Sequence, residues 1–260
     1  MKTLRPRSQR FTYMEADNMI KAVLFDLDGT LLPMNTEAFI AQYTKSLAPK
    51  VSHIVEPEIF LKALWSGTEA MMKNKEKYKT NEQVFTETFL PLINKEKEEI
   101  WPALNQFYEE EFPKFAPLTA PVPEARKVVE AALKKGYKVA VATNPVFPSR
   151  AIEHRLEWAG VKDLPIDLVT VYENSSYTKP HREYYEWIAG KLGVQPEECI
   201  MAGNDKQEDM AASTAGMTTY LVEGHVIDRG NTEFPIHDQG TLAHLKNHIE
   251  QDTGIFEEKK

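Results

Sequence analysis

The stretch that decides the fold is Ile20-Lys21-Ala22-Val23-Leu24-Phe25-Asp26-Leu27-Asp28-Gly29-Thr30. Its first six residues are apolar except for Lys21, and such a run reads as a parallel strand buried on both faces. Asp26 then stands at the carboxyl end of that strand, where the ligand crevice of an open α/β sheet lies. Asp28 follows two residues later. Two carboxylates so close repel each other unless a proton or a cation compensates. Magnesium, which takes oxygen ligands and keeps several waters, suits a site made of one carboxylate, a backbone carbonyl and an acid from another strand. Gly29 permits a tight chain reversal under the ligand, and Thr30 can donate hydrogen bonds at the turn. A calcium-binding or purely capping turn is the competing reading, and the apolar strand before the acid pair argues against it.

Working outward, the pattern changes character after this strand. Thr36 to Leu47, Pro57 to Lys73, Asn81 to Leu90 and Lys95 to Glu111 read as helices, with no strand among them. Prolines 113, 117, 121 and 123 close this all-helical insert, and Pro123 opens a helix that Gly136 ends after Lys135. Strand and helix then alternate: strand Tyr137 to Thr143, helix Ser149 to Ala159, strand Asp167 to Val171, helix Arg182 to Leu192. Strand Cys199 to Ala202, helix Asp205 to Ala215 with Gly216 at its end, and strand Thr218 to Val222 complete the series. Repeated βα units predict a parallel sheet covered by helices. Glu223 to Thr241 carries no clear assignment, and a last helix is expected from Thr241 to Asp252.

Composition narrows the function classes. With 260 residues, 42% hydrophobic and 27% charged, the chain can build a full core and has neither the composition of a disordered segment nor that of a fibrous one. A net charge of −8 argues against a nucleic-acid partner, which would demand a basic face. The single cysteine, Cys199, sits in an apolar run and reads as a buried structural thiol. No apolar stretch approaches the roughly 20 residues that span a bilayer, so neither membrane insertion nor a secretory leader is expected and a cytoplasmic location is. Residues 1–19 read as a flexible tail carrying Lys2, Arg5, Arg7 and Arg10, with Met14 or Met19 as alternative starts.

Four sets of polar residues follow strand ends and should converge: Asp26 with Asp28, Thr143 with Asn144, Thr178 with Lys179, and Asn204, Asp205 and Asp209. In this order they resemble the four motifs of the haloacid dehalogenase-like hydrolase superfamily, over roughly Ile20 to Val222. The dehalogenases lack the second acid of the first motif, so Asp28 points to the phosphate-handling branches. The resemblance implies a doubly wound, Rossmann-like α/β core (residues 20–32 and 117–260) with an inserted helical cap (33–116). It implies Asp26 as the nucleophile that forms an aspartyl-phosphate. Asp28 would protonate the leaving oxygen and then activate water. Thr143 and Asn144 would hold the phosphoryl group, and Lys179 would neutralise nucleophile and phosphate charge. Carboxylate nucleophile and neighbouring acid/base together split one displacement into two easier ones, and a fixed cation stabilises charge throughout phosphoryl transfer.

The fourth motif departs from the family pattern. It reads Gly203-Asn204-Asp205-Lys206-Gln207-Glu208-Asp209, with Asn204 where the first acid usually stands. Magnesium would be held by Asp26, Asp28 and either Asp205 or Asn204; Asp205 is the favoured ligand and Asp209 a support. The cap should exclude water and choose the substrate. Candidate cap contacts are Trp65, Ser66 and Gly67, which interrupt a helical pattern, although Trp65 reads more naturally as cap core. Lysines 73, 75, 77 and 79 read as a solvated face, and Arg150 and His181 as ordinary helix-start residues. The expected activity is Mg-dependent hydrolysis of a small phosphorylated metabolite. A phosphomutase of the β-phosphoglucomutase type and a non-catalytic binding protein on the same fold are the alternatives. Phosphonate cleavage would need a Schiff-base lysine from the cap, and nothing singles one out.

Overall fold

A computed structural model describes residues 19–230 and 233–257, so the expected N-terminal tail lies, but for Met19, outside the described residues. Six parallel strands form one sheet in the order β3-β2-β1-β4-β5-β6. They are β1 (Ala22–Phe25), β2 (Lys138–Val141), β3 (Leu168–Val169), β4 (Cys199–Gly203), β5 (Thr218–Val222) and β6 (Asp238–Gly240). The first strand is central, which is why its side chains are apolar on both faces. Val23, Phe25, Val139, Val141, Ile200 and Ala202 point into one core, whereas Ala22, Leu24, Ala140, Ala142, Cys199 and Met201 point into the other.

Register aligns the chemistry. Phe25 lies opposite Val141 on one side and Ala202 on the other, so β1, β2 and β4 finish level and the residues after them share one crevice. On the second face sit α7 (Arg182–Leu192) and the 3₁₀ turn Met210–Ala215. The first face is covered by α5 (Pro123–Lys134), α6 (Ser149–Trp158) and α8 (Leu242–Gln251), with α5 packed along α8.

Between β1 and β2 the described chain is helical throughout apart from its connecting turns: α1 (Thr36–Lys50), α2 (Pro57–Lys73), α3 (Asn81–Ile93) and α4 (Lys97–Gln106). The predicted single helix Lys95 to Glu111 is instead α4, a π turn at Phe107–Glu111 and a 3₁₀ segment Phe112–Leu118. Pro113 lacks the N–H that would continue the ladder, and the chain rewinds there. The rewound segment presents Phe107, Phe112 and Phe115 to Phe39 and Tyr43, and Phe112 stacks on Trp158 at 5.6 Å. The insert is joined to the sheet by two adjacent segments, where Ala120 N donates to Pro33 O at 2.8 Å and Met34 pairs with Thr119.

Two further expectations are corrected. Asp205 to Ala215 is not one helix: Asp205 Oδ1 accepts from the backbone N–H groups of Gln207 and Glu208, each at 2.9 Å, and this local capture competes with helix hydrogen bonding until Met210. Trp65, Ser66 and Gly67 do not interrupt α2. Gly67 is there because a Cβ would run into the Phe85 ring of α3, and Trp65 is 46% exposed rather than core. Within the stretch left unassigned, β6 adds the edge strand and Ile227 pairs with Asp205.

Candidate active site

Asp26, Asp28, Thr143, Asn144, Asn204, Asp205 and Asp209 line one cleft at the carboxyl ends of the strands, and Lys179 lies buried beneath it. The loop before α7 brings in Lys179, whose Nζ donates to Asp26 Oδ1 at 2.7 Å and to Asp209 Oδ1 at 2.5 Å. Asp209 Oδ2 accepts from the Asp205 backbone N–H at 2.9 Å, so one side chain ties the fourth-motif turn to the lysine. Gly203 is required by this arrangement, because a Cβ there would occupy the place of the Asp209 carboxylate. Gly29, at φ +85°, turns the chain under the site, and a Cβ on it would collide with the Asn204 amide. Thr143 is fixed through its carbonyl, which accepts from Thr170 Oγ1 at 2.7 Å and from the Tyr184 hydroxyl at 2.8 Å.

Two site residues escaped the sequence reading. Arg155 is 1% exposed, and its Nη1 donates to Asp28 Oδ2 at 2.5 Å. Its guanidinium lies 4.1 Å from the Phe147 ring centroid, with Phe39 and Phe112 also against it. A signal was present: Ala151, Ile152, Arg155 and Leu156 form the buried stripe of α6, and an arginine on such a stripe needs an acid partner. Arg229 pairs with Asp205 Oδ2 at 2.7 Å; it arrives on the irregular loop after β5, where no periodic pattern marks it. Arg150, by contrast, serves surface pairs with Glu109 and Glu153, and His181 bonds the Met72 carbonyl. Lys73 and Lys79 likewise pair with neighbouring glutamates.

The fourth motif is arranged differently from the expectation that favoured Asp205 as a ligand. Both Asp205 oxygens are engaged, by Arg229 and by two backbone N–H groups. Asn204 faces the first motif instead: its Oδ1 and Asp26 Oδ2 both converge on the Thr30 hydroxyl, at 2.9 and 3.1 Å, while its Nδ2 donates to the His225 carbonyl at 2.6 Å.

The electrostatics follow from burial. Desolvation pushes the Asp26 carboxyl above its ordinary range against the pull of Lys179. It raises Asp209 to about 7, again against Lys179. Glu208, which accepts from Asn144 Nδ2 at 3.2 Å, is likewise pushed up to about 7 by burial. Burial also opposes charge on Lys179, yet Asp209 and Asp26 together outweigh it and hold the ammonium well above the usual lysine range.

The donors fit a small divalent cation. The Thr30 hydroxyl carries one hydrogen for two facing acceptor oxygens, so one of them is left seeking a positive partner. Asp28 Oδ1 is buried and unpartnered, as is Asn144 Oδ1. Asp26, Asp28, Asp205, Glu208 and Asp209 face Lys179, Arg155 and Arg229, an excess of two formal negative charges that one divalent cation offsets. Among the described residues no cage of three or more His, Cys, Asp or Glu is gathered.

Comparison with known proteins agrees. The protein-family model for haloacid dehalogenase-like hydrolases matches residues 20–216. A phosphoglycolate phosphatase of Haemophilus influenzae is 26% identical over 216 residues, covering 77% of this chain and 84% of its own. The pyrophosphatase PpaX of Bacillus cereus is 25% identical over 203 residues, covering 78% and 83%. Among solved structures, a HAD phosphatase from Thermococcus onnurineus superposes with a TM-score of 0.56 at 22% identity, covering 88% of this chain and 97% of that one. A putative β-phosphoglucomutase from Thermotoga maritima superposes at 0.55 with 19% identity, covering 90% and 100%, and these two share the fold. The chain belongs to the haloacid dehalogenase-like hydrolase family and is an enzyme of its phosphatase branch.

Proposed function

We propose that the protein hydrolyses a small phosphomonoester in two steps through a phosphoryl group carried on Asp26. In the first, an Asp26 oxygen bonds to phosphorus while the ester oxygen leaves and takes a proton from Asp28. In the second, water attacks the phosphorylated Asp26, Asp28 takes its proton, and phosphate departs with the carboxylate restored. Asp28 suits this role because Arg155 holds Oδ2 and leaves Oδ1 without a partner. Lys179, Thr143 and Asn144 hold the phosphoryl oxygens, and Lys179 also keeps Asp26 oriented. The family's phosphoglycolate phosphatase and pyrophosphatase relatives support phosphate chemistry of this class.

Magnesium would be held by the Asp26 carboxylate, the Asp28 backbone carbonyl and the Asn204 amide oxygen, in place of the expected Asp205, and supplies charge neutralisation for the transferring phosphoryl group. The helices from Thr36 to Leu118 serve as a cap: α1 contributes Thr36, Phe39 and Ile40 to the wall of the cleft, and only two linkers join the insert to the sheet. A cap that closes keeps bulk water from the phosphorylated carboxylate.

The observation that carries the reading is Asp26 clamped between Lys179 and Thr30 beside an acid with one free oxygen. Phosphate release from a panel of phosphorylated compounds, with magnesium or with EDTA, tests it. Turnover that requires magnesium and is lost in Asp26→Asn is expected; equal turnover in the two proteins would contradict it.

A further inference from the structure

A second cavity, of about 130 Å³, lies between the helical insert and the loop after β2. Its walls are largely aromatic, with Phe60, Phe85, Phe89 and Trp101 from the insert and Phe147 and Tyr172 from the core side. No Asp, Glu, Lys, Arg or His lines it. Its most buried polar atoms satisfy each other: the hydroxyls of Tyr43 and Tyr108 are 2.8 Å apart, and burial raises both well above the ordinary phenol range, so neither offers a charge. An apolar guest loses little on entering such a space, whereas an anionic guest would lose its hydration with nothing to replace it.

The cavity adjoins the catalytic cleft. Ile40, Val146 and Phe147 line both. Phe147 packs under the guanidinium that binds Asp28 and meets Tyr43 at 5.4 Å between centroids. The leaving oxygen, taking its proton from Asp28, therefore departs next to the apolar wall. At the far side, exposed Trp65 and Asn105 carry the lining out to solvent.

We infer that the substrate's leaving group is apolar, a single aromatic ring or a short hydrocarbon chain of similar bulk, seated in this cavity while its phosphate meets Asp26. The volume sets the size, since an apolar cavity of roughly 150 Å³ takes up benzene. This inference rests on the phosphatase reading and narrows it away from compact, highly charged substrates. Glycolate carries a carboxylate and pyrophosphate a second phosphate, and neither finds a cation in the cavity. Arg155, which packs on Phe147 at the shared wall, is already spent on Asp28. In the reaction the ester P–O bond breaks, water supplies the new oxygen on phosphate, and the ring or chain leaves as a neutral phenol or alcohol.

The test compares kcat/KM for phenyl and benzyl phosphate with that for phosphoglycolate, glucose 6-phosphate and pyrophosphate, in wild type and in Thr68→Phe, which puts a ring into the cavity from α2. Leu64→Phe from the same helix serves as the second filling variant, and a thermal melt confirms that each folds. Expected is an advantage of at least about tenfold for the ring esters, and its loss in the filling variants through a higher KM. Higher kcat/KM on the charged compounds, or an advantage that survives filling, overturns the inference and leaves the phosphatase reading intact. Absence of phosphate release from every compound overturns the phosphatase reading itself, and the inference with it.

Discussion

Arg155 and Asp28 show how much one pair at the cleft decides. The guanidinium reaches across 127 residues of sequence to hold one carboxylate oxygen and leave the other free. Replacing it by methionine leaves a part-buried carboxylate, its side chain 25% exposed, without its partner, a loss that stays below the roughly 3–5 kcal/mol of a fully buried pair. Arg155→Met should therefore melt earlier in denaturant and lose kcat far more than it changes KM. Arg155→Lys should recover part of the stability but little of kcat, because an ammonium cannot reproduce the planar fork. A fall in KM affinity alone, with kcat intact, would show that Arg155 does not position Asp28. Gly203→Ala offers a second residue-scale check: its methyl would displace the Asp209 carboxylate from Lys179, and overpacking of this kind costs about 1–3 kcal/mol. Equilibrium unfolding reads that loss directly. Asp26, Asp28 and Thr143 could be picked out in the sequence because each lies within three residues of the end of an apolar strand. Arg155 and Arg229 were not read there because their partners are fixed by tertiary packing, and the engagement of Asp205 by Arg229 is announced by no local pattern.

Local signals fixed the elements that begin and end on strong chemistry. Arg182–Leu192 and Thr218–Val222 have the bounds the sequence suggests, and Pro57–Lys73 starts with proline in its first turn. Where a side chain competes with the backbone, pattern reading began a helix too early, as at Asp205, and it did not see the winding change to a π turn at Phe107 ahead of Pro113. Cys199 tests the central strand pair. It opens β4, fully buried, and burial pushes its thiol up to about 12. Reaction with an aromatic disulfide reagent at neutral pH should track unfolding, accelerating with denaturant in parallel with loss of secondary structure. Prompt labelling of the native protein would mean that the edge of β4 opens locally.

At the scale of the whole molecule, alternating βα units were sufficient to predict a parallel sheet, and most of the polar residues that the crevice rule singles out line one cleft. Strand order and the dovetailing of insert and core were not readable, since both depend on pairings between distant segments. No helix among the described residues is long and apolar enough to cross a membrane. Cation binding should couple to the stability of the entire fold. If magnesium binds the native site, its thermal midpoint rises with concentration, by the equivalent of about 2.7 kcal/mol at a hundredfold excess over Kd. Asn204→Ala should shrink that increment, and an unchanged magnesium response would move the ligand role elsewhere.

The most direct measurement is of Asp26 itself. Turnover quenched in acid, followed by digestion and mass spectrometry of the peptide containing Asp26, should reveal a phosphoryl adduct on that residue in the wild type and none in Asp26→Asn. Steady turnover with no adduct on Asp26 under any quench, or an adduct on another residue, would contradict the covalent route.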